Sequence, residues 1–177
     1  MATKVVVGID LAGNEKNRSG FCLLKEEFGQ KETKSKTFFT NEEILAEIIR
    51  SKPDLVAIDA PLTTKKEDRK CDKEMKKYGA LSLSLAGMQT LAKRAWGLRQ
   101  EIKKMNIPVI EIFPRATEKI MGLERDSLSK STHQGDAILA AITGFLHLEK
   151  KTKEVGDAEG KIIIPKPSRK KPLKKSP

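Results

Sequence analysis

Apolar positions along the chain occur in short runs separated by polar turns, a pattern that predicts alternating strands and helices. Residues 4–10 form a nearly continuous apolar run typical of a buried strand, and 13–18 form a polar turn. Residues 19–25 and 32–39 predict two more strands. The short connections between these segments favour an antiparallel meander, because antiparallel neighbours can be joined by tight turns.

A helix and a fourth strand follow. Thr40 can cap a helix whose first turn carries Glu42 and Glu43 near the positive end of the helix dipole. The expected apolar face of this helix consists of Ile44, Leu45, Ile48 and Ile49. Pro53 ends the helix, and residues 55–59 form a short apolar run. Because a helical crossover joins them, the fourth strand should lie parallel to the first.

The remaining chain alternates helical and strand patterns. Residues 65–79 are highly charged and predict a helix toward Gly79, whereas 80–87 are small and flexible in character. The further predicted elements are a helix at 88–104, a strand at 107–113, a short helix at 116–121, a helix from 132 to about 150 and a short edge strand at 162–164. Trp96 is expected to fill the core rather than to stack on a ligand.

Composition is that of an ordinary soluble domain. A chain of 177 residues is long enough for one domain with a sizeable core, and 33% of its residues are charged. The sequence contains no signal peptide and no run of about 20 apolar residues, so we expect a cytoplasmic protein. Cys22 and Cys71 share no metal-like spacing and are expected to be reduced thiols, with a disulfide as the alternative.

The net charge of +11 is unevenly distributed. The Pro/Lys-rich tail at 166–177 contributes +6 and contains no acid, so we expect it to be disordered beside a folded domain at 1–165. Lys170 and Lys171 in this tail are candidate contacts to the phosphates of a nucleic acid. A purely solubilising tail is the alternative.

Two apolar runs each end in an aspartate, Asp10 and Asp59. Parallel strands would bring both to the carboxyl edge of the sheet, where sites form in open α/β sheets. An unpaired carboxylate at the end of a buried strand is costly. The pair therefore predicts a site for a divalent cation.

Two further acids lie beside apolar elements, Glu111 on a strand and Asp136 near the start of the last helix. Small residues on that helix suit close packing on a sheet, which would bring Asp136 to Asp10 and Asp59. Three carboxylates around one point repel one another, and Mg²⁺ or Mn²⁺ would relieve the repulsion. Two such ions could activate a water and stabilise the leaving oxygen in phosphodiester hydrolysis.

Each acid also has a structural interpretation. Asp10 could form an Asx turn, and Asp59 could cap the loop that follows it. Asp136 could be a first-turn acid that favours the helix dipole. Glu111 could pair with Arg115. The agreement of order, spacing and element type favours the common site.

Short motifs surround these acids. They are Val7-Gly8-Ile9-Asp10-Leu11-Ala12, Ala57-Ile58-Asp59-Ala60-Pro61-Leu62, Arg69-Lys70-Cys71-Asp72, Glu111-Ile112-Phe113-Pro114 and His133-Gln134-Gly135-Asp136-Ala137-Ile138-Leu139-Ala140-Ala141. As a set they resemble the motifs of domain-of-unknown-function family 429, predicted nucleases of the ribonuclease H-like fold. The resemblance covers most of residues 4–165. It implies an α/β fold with a mixed five-stranded sheet in the order β-β-β-α-β-α-β-α, flanked by helices and akin to that of Holliday-junction resolvases.

The same resemblance implies Asp10, Asp59 and Asp136 as metal ligands, with Glu111 as a further candidate. Resolvases of the related type often carry two acids one helical turn apart on the last helix, and here His133 takes one of those positions. His133 could be a proton shuttle or a metal ligand, or equally a helix-start residue that faces solvent.

Three arginines are candidate phosphate contacts, Arg69, Arg94 and Arg115. Arg69 belongs to a segment between the fourth and fifth strands that could form a lid over the site. A solvated helix face is the alternative for Arg69 and Arg94.

The function expected from these features is a metal-dependent nuclease acting on structured DNA or RNA. A homodimer would suit an enzyme that cuts two strands symmetrically. A non-catalytic nucleic-acid-binding module on the same fold is the main alternative. A nucleotide-dependent phosphotransferase is disfavoured, because the chain has no room for the second domain of such enzymes and residues 60–64 contain no glycine.

Overall fold

Five strands form the central sheet of the computed structural model, which describes residues 3–167. They are β1 (Lys4–Asp10), β2 (Ser19–Glu27), β3 (Gln30–Phe38), β4 (Leu55–Asp59) and β5 (Val109–Glu111). The strand order is β3-β2-β1-β4-β5. The first three strands are antiparallel, and β4 and β5 run parallel to β1. The predicted meander, the parallel fourth strand and an α/β fold with a mixed five-stranded sheet are confirmed.

Six α-helices accompany the strands within residues 3–167. They are α1 (Asn41–Ser51), α2 (Lys70–Met75), α3 (Ala86–Lys104), α4 (Pro114–Met121), α5 (Arg125–Leu128) and α6 (Thr132–Leu148). The predicted start of α1 is confirmed, because the Thr40 hydroxyl accepts from the Glu43 amide and the Glu43 carboxylate accepts from the Thr40 amide. Within the described range, no helix combines the length and the apolar character needed to cross a membrane.

The C-terminal part differs from the prediction. Strands β6 (Thr152–Asp157) and β7 (Gly160–Pro165) form a separate antiparallel hairpin, and a bridge between Ile112 and Ile163 joins it to the segment just after β5. The sequence indicated only 162–164, because β6 buries a single side chain and therefore lacks an apolar period. Most of the predicted tail at 166–177, including Lys170 and Lys171, lies outside the described residues.

Alternation along the strands divides the core between two faces of the sheet. Val7 and Ile9 pack toward α1 and α3, whereas Val6 packs toward α6. Ile49, predicted on the buried face of α1, is exposed because Ile44 and Ile48 already form the buried stripe. Both cysteines are free and buried, in agreement with the predicted reduced thiols.

Helix α6 lies unusually close to the sheet. A Cβ atom built on Gly8 of β1 would overlap the carbonyl oxygen of Ala137, and one on Gly20 of β2 would overlap that of His133. A Cβ on Gly144, within α6, would lie 2.7 Å from Val6. Glycine at these positions lets the helix backbone rest directly on the strands. This approach brings the first turns of α6 to the carboxyl end of β1.

We expect Gly8→Ala to destabilise the protein by about 3 kcal/mol, because α6 would have to move off the sheet. Gly97→Ala is the matched control, since a Cβ there meets nothing within 4 Å and alanine favours a helix interior by about 1 kcal/mol. Urea unfolding of the two variants measures the difference. Equal stabilities would contradict the close packing.

Candidate metal and phosphate site

Asp10 and Asp59 end neighbouring parallel strands and are direct partners in the register of β1 and β4. Residues paired in register point to the same face of a sheet. Asp10 lies two residues after Gly8, whose Cα faces α6, so both carboxylates belong to the α6 side of the sheet edge. The predicted meeting of Asp10 and Asp59 is confirmed.

His133 contributes directly to this edge. It is the second residue of α6, and its Nδ1 lies 2.8 Å from Oδ2 of Asp10. The imidazole remains half exposed. Burial raises the pKa of Asp10, and the hydrogen bond with His133 opposes that rise. His133 is therefore a partner of the acidic edge and not a residue that faces solvent alone.

Asp136 lies one turn further along α6, where it meets an arginine that the sequence did not indicate. Nη1 of Arg125 lies 3.2 Å from each carboxylate oxygen of Asp136. Burial raises the pKa of Asp136, and Arg125 opposes the rise. Arg125 belongs to the four-residue helix α5, and neither its spacing nor its neighbours distinguish it from the other charged residues between Gly122 and Ser131.

Asp59 is the least compensated acid of the group. Burial raises its pKa well above the usual range, and the charges of Asp10, Asp136 and Glu111 raise it further. Arg115 is the cation that opposes this rise. Within residues 3–167, no hydrogen-bond donor engages the Asp59 carboxylate. Asp59 is thus a carboxylate in a position where a cation would be strongly favoured.

The three aspartates line one cavity of about 230 Å³. Arg115 and Arg125 form its basic wall. Its apolar wall includes Leu11, Met75, Leu81, Met88, Leu91 and Phe113. The cavity therefore combines acids that suit a cation, arginines that suit a phosphate and an apolar surface.

Glu111 lines the same cavity, but its carboxylate is engaged by other partners than the three aspartates. It pairs with Ile58 in the parallel register, one residue before Asp59, so alternation directs its side chain to the opposite face. There Oε1 accepts from Nη2 of Arg69 at 2.6 Å, and Oε2 accepts from the Leu62 amide at 2.9 Å. The alternative pairing with Arg115 is wrong, because Arg69 is the ion-pair partner of Glu111. A role of Glu111 as a further ligand stays a prediction.

Arg69 forms the centre of a buried ion cluster and is not a surface contact for phosphate. Its guanidinium binds Asp72 through Nε and Nη2, each at 2.8 Å, in addition to Glu111. Burial alone would lower the pKa of Arg69, but these two carboxylates raise it above the usual value. Only 2% of Arg69 is exposed, and the β6–β7 hairpin covers it at Gly160. The segment around Arg69, predicted as a lid over the site, is therefore held in place by this buried ion cluster.

Of the other two arginines predicted to contact phosphate, one is engaged within the protein and the other is exposed. Arg94 donates to the backbone carbonyls of Ala12 and Phe39 at 2.8 Å, so it ties loops to α3 and is not available to a substrate. Arg115 is exposed at the cavity wall and remains a candidate phosphate contact. Trp96, predicted in the core, lies half-buried at the surface.

The acids suit Mg²⁺ or Mn²⁺ in their chemistry, because carboxylate oxygens are the ligands that hard divalent cations prefer. Within residues 3–167 no group of three or more His, Cys, Asp and Glu side chains is already arranged to hold a metal ion. The Asp136 carboxylate is engaged by Arg125 instead, with Nη1 3.2 Å away. The three aspartates therefore fit a hard divalent cation in the chemistry of their donor atoms.

We expect Arg69→Met to destabilise the protein by about 3–5 kcal/mol, because it leaves the buried carboxylates of Asp72 and Glu111 without their cation. A surface phosphate contact would give almost no change. Arg99→Met is the matched control, since Arg99 forms no ion pair within residues 3–167. Chemical unfolding of both variants distinguishes the two roles.

We expect Asp59→Asn to stabilise the metal-free protein by about 1 kcal/mol near neutral pH. The folded state holds a proton on Asp59 more tightly than the unfolded state, so this group costs stability as pH rises from its unfolded pKa through the raised folded pKa. Asparagine removes that cost, and the gain over wild type should therefore grow with pH.

Thermal unfolding in a chelator, between about pH 4 and pH 8, measures this gain. Asp126→Asn is the control because the side chain of Asp126 is 93% exposed. A loss of stability in Asp59→Asn, or a gain that shrinks as pH rises, would contradict the uncompensated charge.

No family model, curated protein or solved structure matches the chain. The function proposed below therefore rests on the geometry of Asp10, Asp59 and Asp136, and on the resemblance of the surrounding motifs.

Proposed function

We propose that the protein is a divalent-metal-dependent nuclease of the ribonuclease H-like fold that hydrolyses phosphodiester bonds in structured DNA or RNA. The observation that carries the proposal is the parallel register of β1 and β4, which sets Asp10 beside Asp59 at a cavity that Asp136 also lines. The antiparallel β1–β3 meander followed by the parallel strands β4 and β5 supports the fold assignment.

Asp10, Asp59 and Asp136 would hold the metal. A bound Mg²⁺ or Mn²⁺ supplies an acidic water and neutralises charge at the scissile phosphate. Burial raises the pKa of Asp59 well above its usual range, and repulsion from the neighbouring carboxylates raises it further. Their mutual repulsion is the free energy that cation binding would relieve.

His133 is suited to move a proton at this site. Its Nδ1 is engaged by Asp10, which leaves Nε2 as the ring nitrogen that can take a proton from water or give one to a leaving oxygen. The half-exposed position gives that nitrogen access to solvent. Asp10 would then both bind the cation and orient the imidazole.

Arg115 and Arg125 would contact the phosphate backbone. Arg115 is exposed at the cavity wall, and Arg125 would become available when Asp136 turns from it toward a cation. The net charge of +11 supports nucleic acid as the polyanionic substrate. Lys170 and Lys171 would add contacts from the tail, and a homodimer would allow paired cuts.

A non-catalytic nucleic-acid-binding module is the second candidate. The observation that favours it is the contact of Nη1 of Arg125 with both carboxylate oxygens of Asp136, which already neutralises one of the three acids. In that case the arginine is a permanent partner, and affinity for nucleic acid would not depend on metal.

We expect Mn²⁺-dependent cleavage of at least one member of a panel of branched, duplex and single-stranded substrates. Asp10→Asn should lower the cleavage rate by more than about 100-fold, because it removes both a ligand and the partner of His133. Glu74→Gln, which likewise replaces a carboxylate by its amide at an exposed acid outside the cavity, should cleave like wild type. Gel assays with purified protein measure the cleavage rate, and calorimetry with Mn²⁺ measures metal binding.

The two candidates predict different results in these assays. Protein that binds the panel equally well with a chelator, cuts none of it and retains its affinity in Asp10→Asn is a binding module. Cleavage that persists in Asp10→Asn would exclude this cavity as the site of the reaction.

A further inference from the structure

Trp96 is the single tryptophan of the chain, and it lies between two neighbouring surface depressions. Both depressions are also lined by Thr63, Thr64 and Lys65 of the loop that follows β4. A large aromatic side chain half-buried at the junction of two surface depressions is more exposed than core packing requires. The side chains that line the two depressions differ in charge, and this difference indicates which ligand could bind against Trp96.

The first depression has a volume of about 440 Å³ and is basic. Lys65, Lys66 and Lys93 line it together with small and polar side chains, and none of its lining residues within the described range is acidic. Lys65 is paired with Glu159. Lys66 and Lys93 are exposed and form no ion pair within residues 3–167. This depression therefore presents two uncompensated cations beside an indole ring.

The second depression is closed by an arginine. The Arg99 guanidinium lies 5.2 Å from the centre of the Trp96 ring, within the range of a cation–π contact. Nε of Arg99 is buried and has no hydrogen-bond partner in the part of the chain that the structure describes. Acids at Glu154, Asp157 and Glu159 line the same depression, where Lys161 pairs with Glu154 and Lys65 pairs with Glu159. The charges on this side are largely paired, so the lysines of the first depression that have no ion pair in the described range make that side the more favourable approach for a polyanion.

The basic depression is close to the aspartates. Thr63 follows Asp59 by four residues, so their Cα atoms lie no more than about 14 Å apart. The loop between them is fixed, because the Leu62 amide donates to Glu111 at 2.9 Å. A strand bound against Trp96 would therefore lie at the short loop that follows Asp59.

We propose that Trp96, Lys66 and Lys93 form a binding groove for single-stranded nucleic acid beside the acidic cavity. A base stacks on the indole ring, and the adjoining phosphates contact the two lysines. Arg99 supports the ring from its other side. The inference rests on the proposed function in taking nucleic acid as the ligand, and it extends that function by naming an unpaired strand as the form that is held.

The chemistry of the groove favours an unpaired strand over other polyanions. A base inside a duplex is already stacked and does not present its face to a protein side chain, whereas every unpaired base does. An acidic peptide or a sulfated polysaccharide could match the lysines but offers no aromatic plane to Trp96. The contribution of the ring therefore separates these ligands from a single strand.

The fluorescence of Trp96 provides a direct test, since no other tryptophan contributes to the signal. A short single-stranded oligothymidylate is titrated into the full chain in a chelator, with the matching duplex and heparin as comparison ligands. We expect saturable quenching by the single strand and little change with either comparison ligand.

Variants then separate stacking from charge, with affinities measured by anisotropy of a labelled oligothymidylate. Trp96→Leu should weaken binding by about tenfold, and Trp96→Phe should restore most of the affinity. Lys93→Gln should weaken binding and lower the slope of affinity against salt concentration by about one. Lys103→Gln is the matched control on the same helix, because Lys103 is exposed and lies outside both depressions. It should bind nearly as wild type.

Three results would overturn the proposal. They are no binding of the single strand, binding without quenching, and equal affinity in wild type and in a Trp96→Leu variant whose melting curve shows it to be folded. Asp10→Asn should retain both quenching and affinity. In the wild-type protein, quenching without any metal-dependent cleavage would therefore count against the acidic cavity alone, and cleavage without quenching would count against the groove alone.

Discussion

The close contact between α6 and the first two strands is the constraint on which the rest of the site depends. Gly8 and Gly20 leave no room for a Cβ between the strands and the helix backbone, so α6 can lie directly on the sheet. That approach carries His133 and Asp136 to the carboxyl end of β1, where Asp10 is found. The small residues of α6 thus serve the site through packing and take no part in its chemistry.

Arginines divide the acids of this edge into two kinds. Glu111 and Asp72 share the buried guanidinium of Arg69, and this cluster ties α2 and the loop after β4 to the large sheet. Asp136 has a partly exposed arginine, and Asp59 has no donor at all within the described residues. Neutralised acids stabilise the fold, whereas the uncompensated one costs stability in a manner typical of functional sites.

Much of this arrangement was predictable from local patterns. Continuous apolar runs indicated the strands of the sheet, and the helix between β3 and β4 implied a parallel neighbour for β1. Because both runs end in aspartate, their meeting at one edge followed. The hairpin strand β6, the short helix α5 and the surface position of Trp96 were not predictable in this way. Each of these features depends on packing between segments that are distant in sequence. None of them produces a periodic pattern of apolar residues.

The sequence by itself determined the strands of the large sheet, their order and the common edge of Asp10 and Asp59, because hydrophobic period and the helical crossover can be read from local patterns. Only the tertiary structure decided the partner of each charge. The one-residue offset between β4 and β5 directs Glu111 to Arg69, and the fold of residues 122–131 brings Arg125 to Asp136. Ion pairs between residues distant in sequence depend on register and side-chain direction, which apolar patterns do not specify.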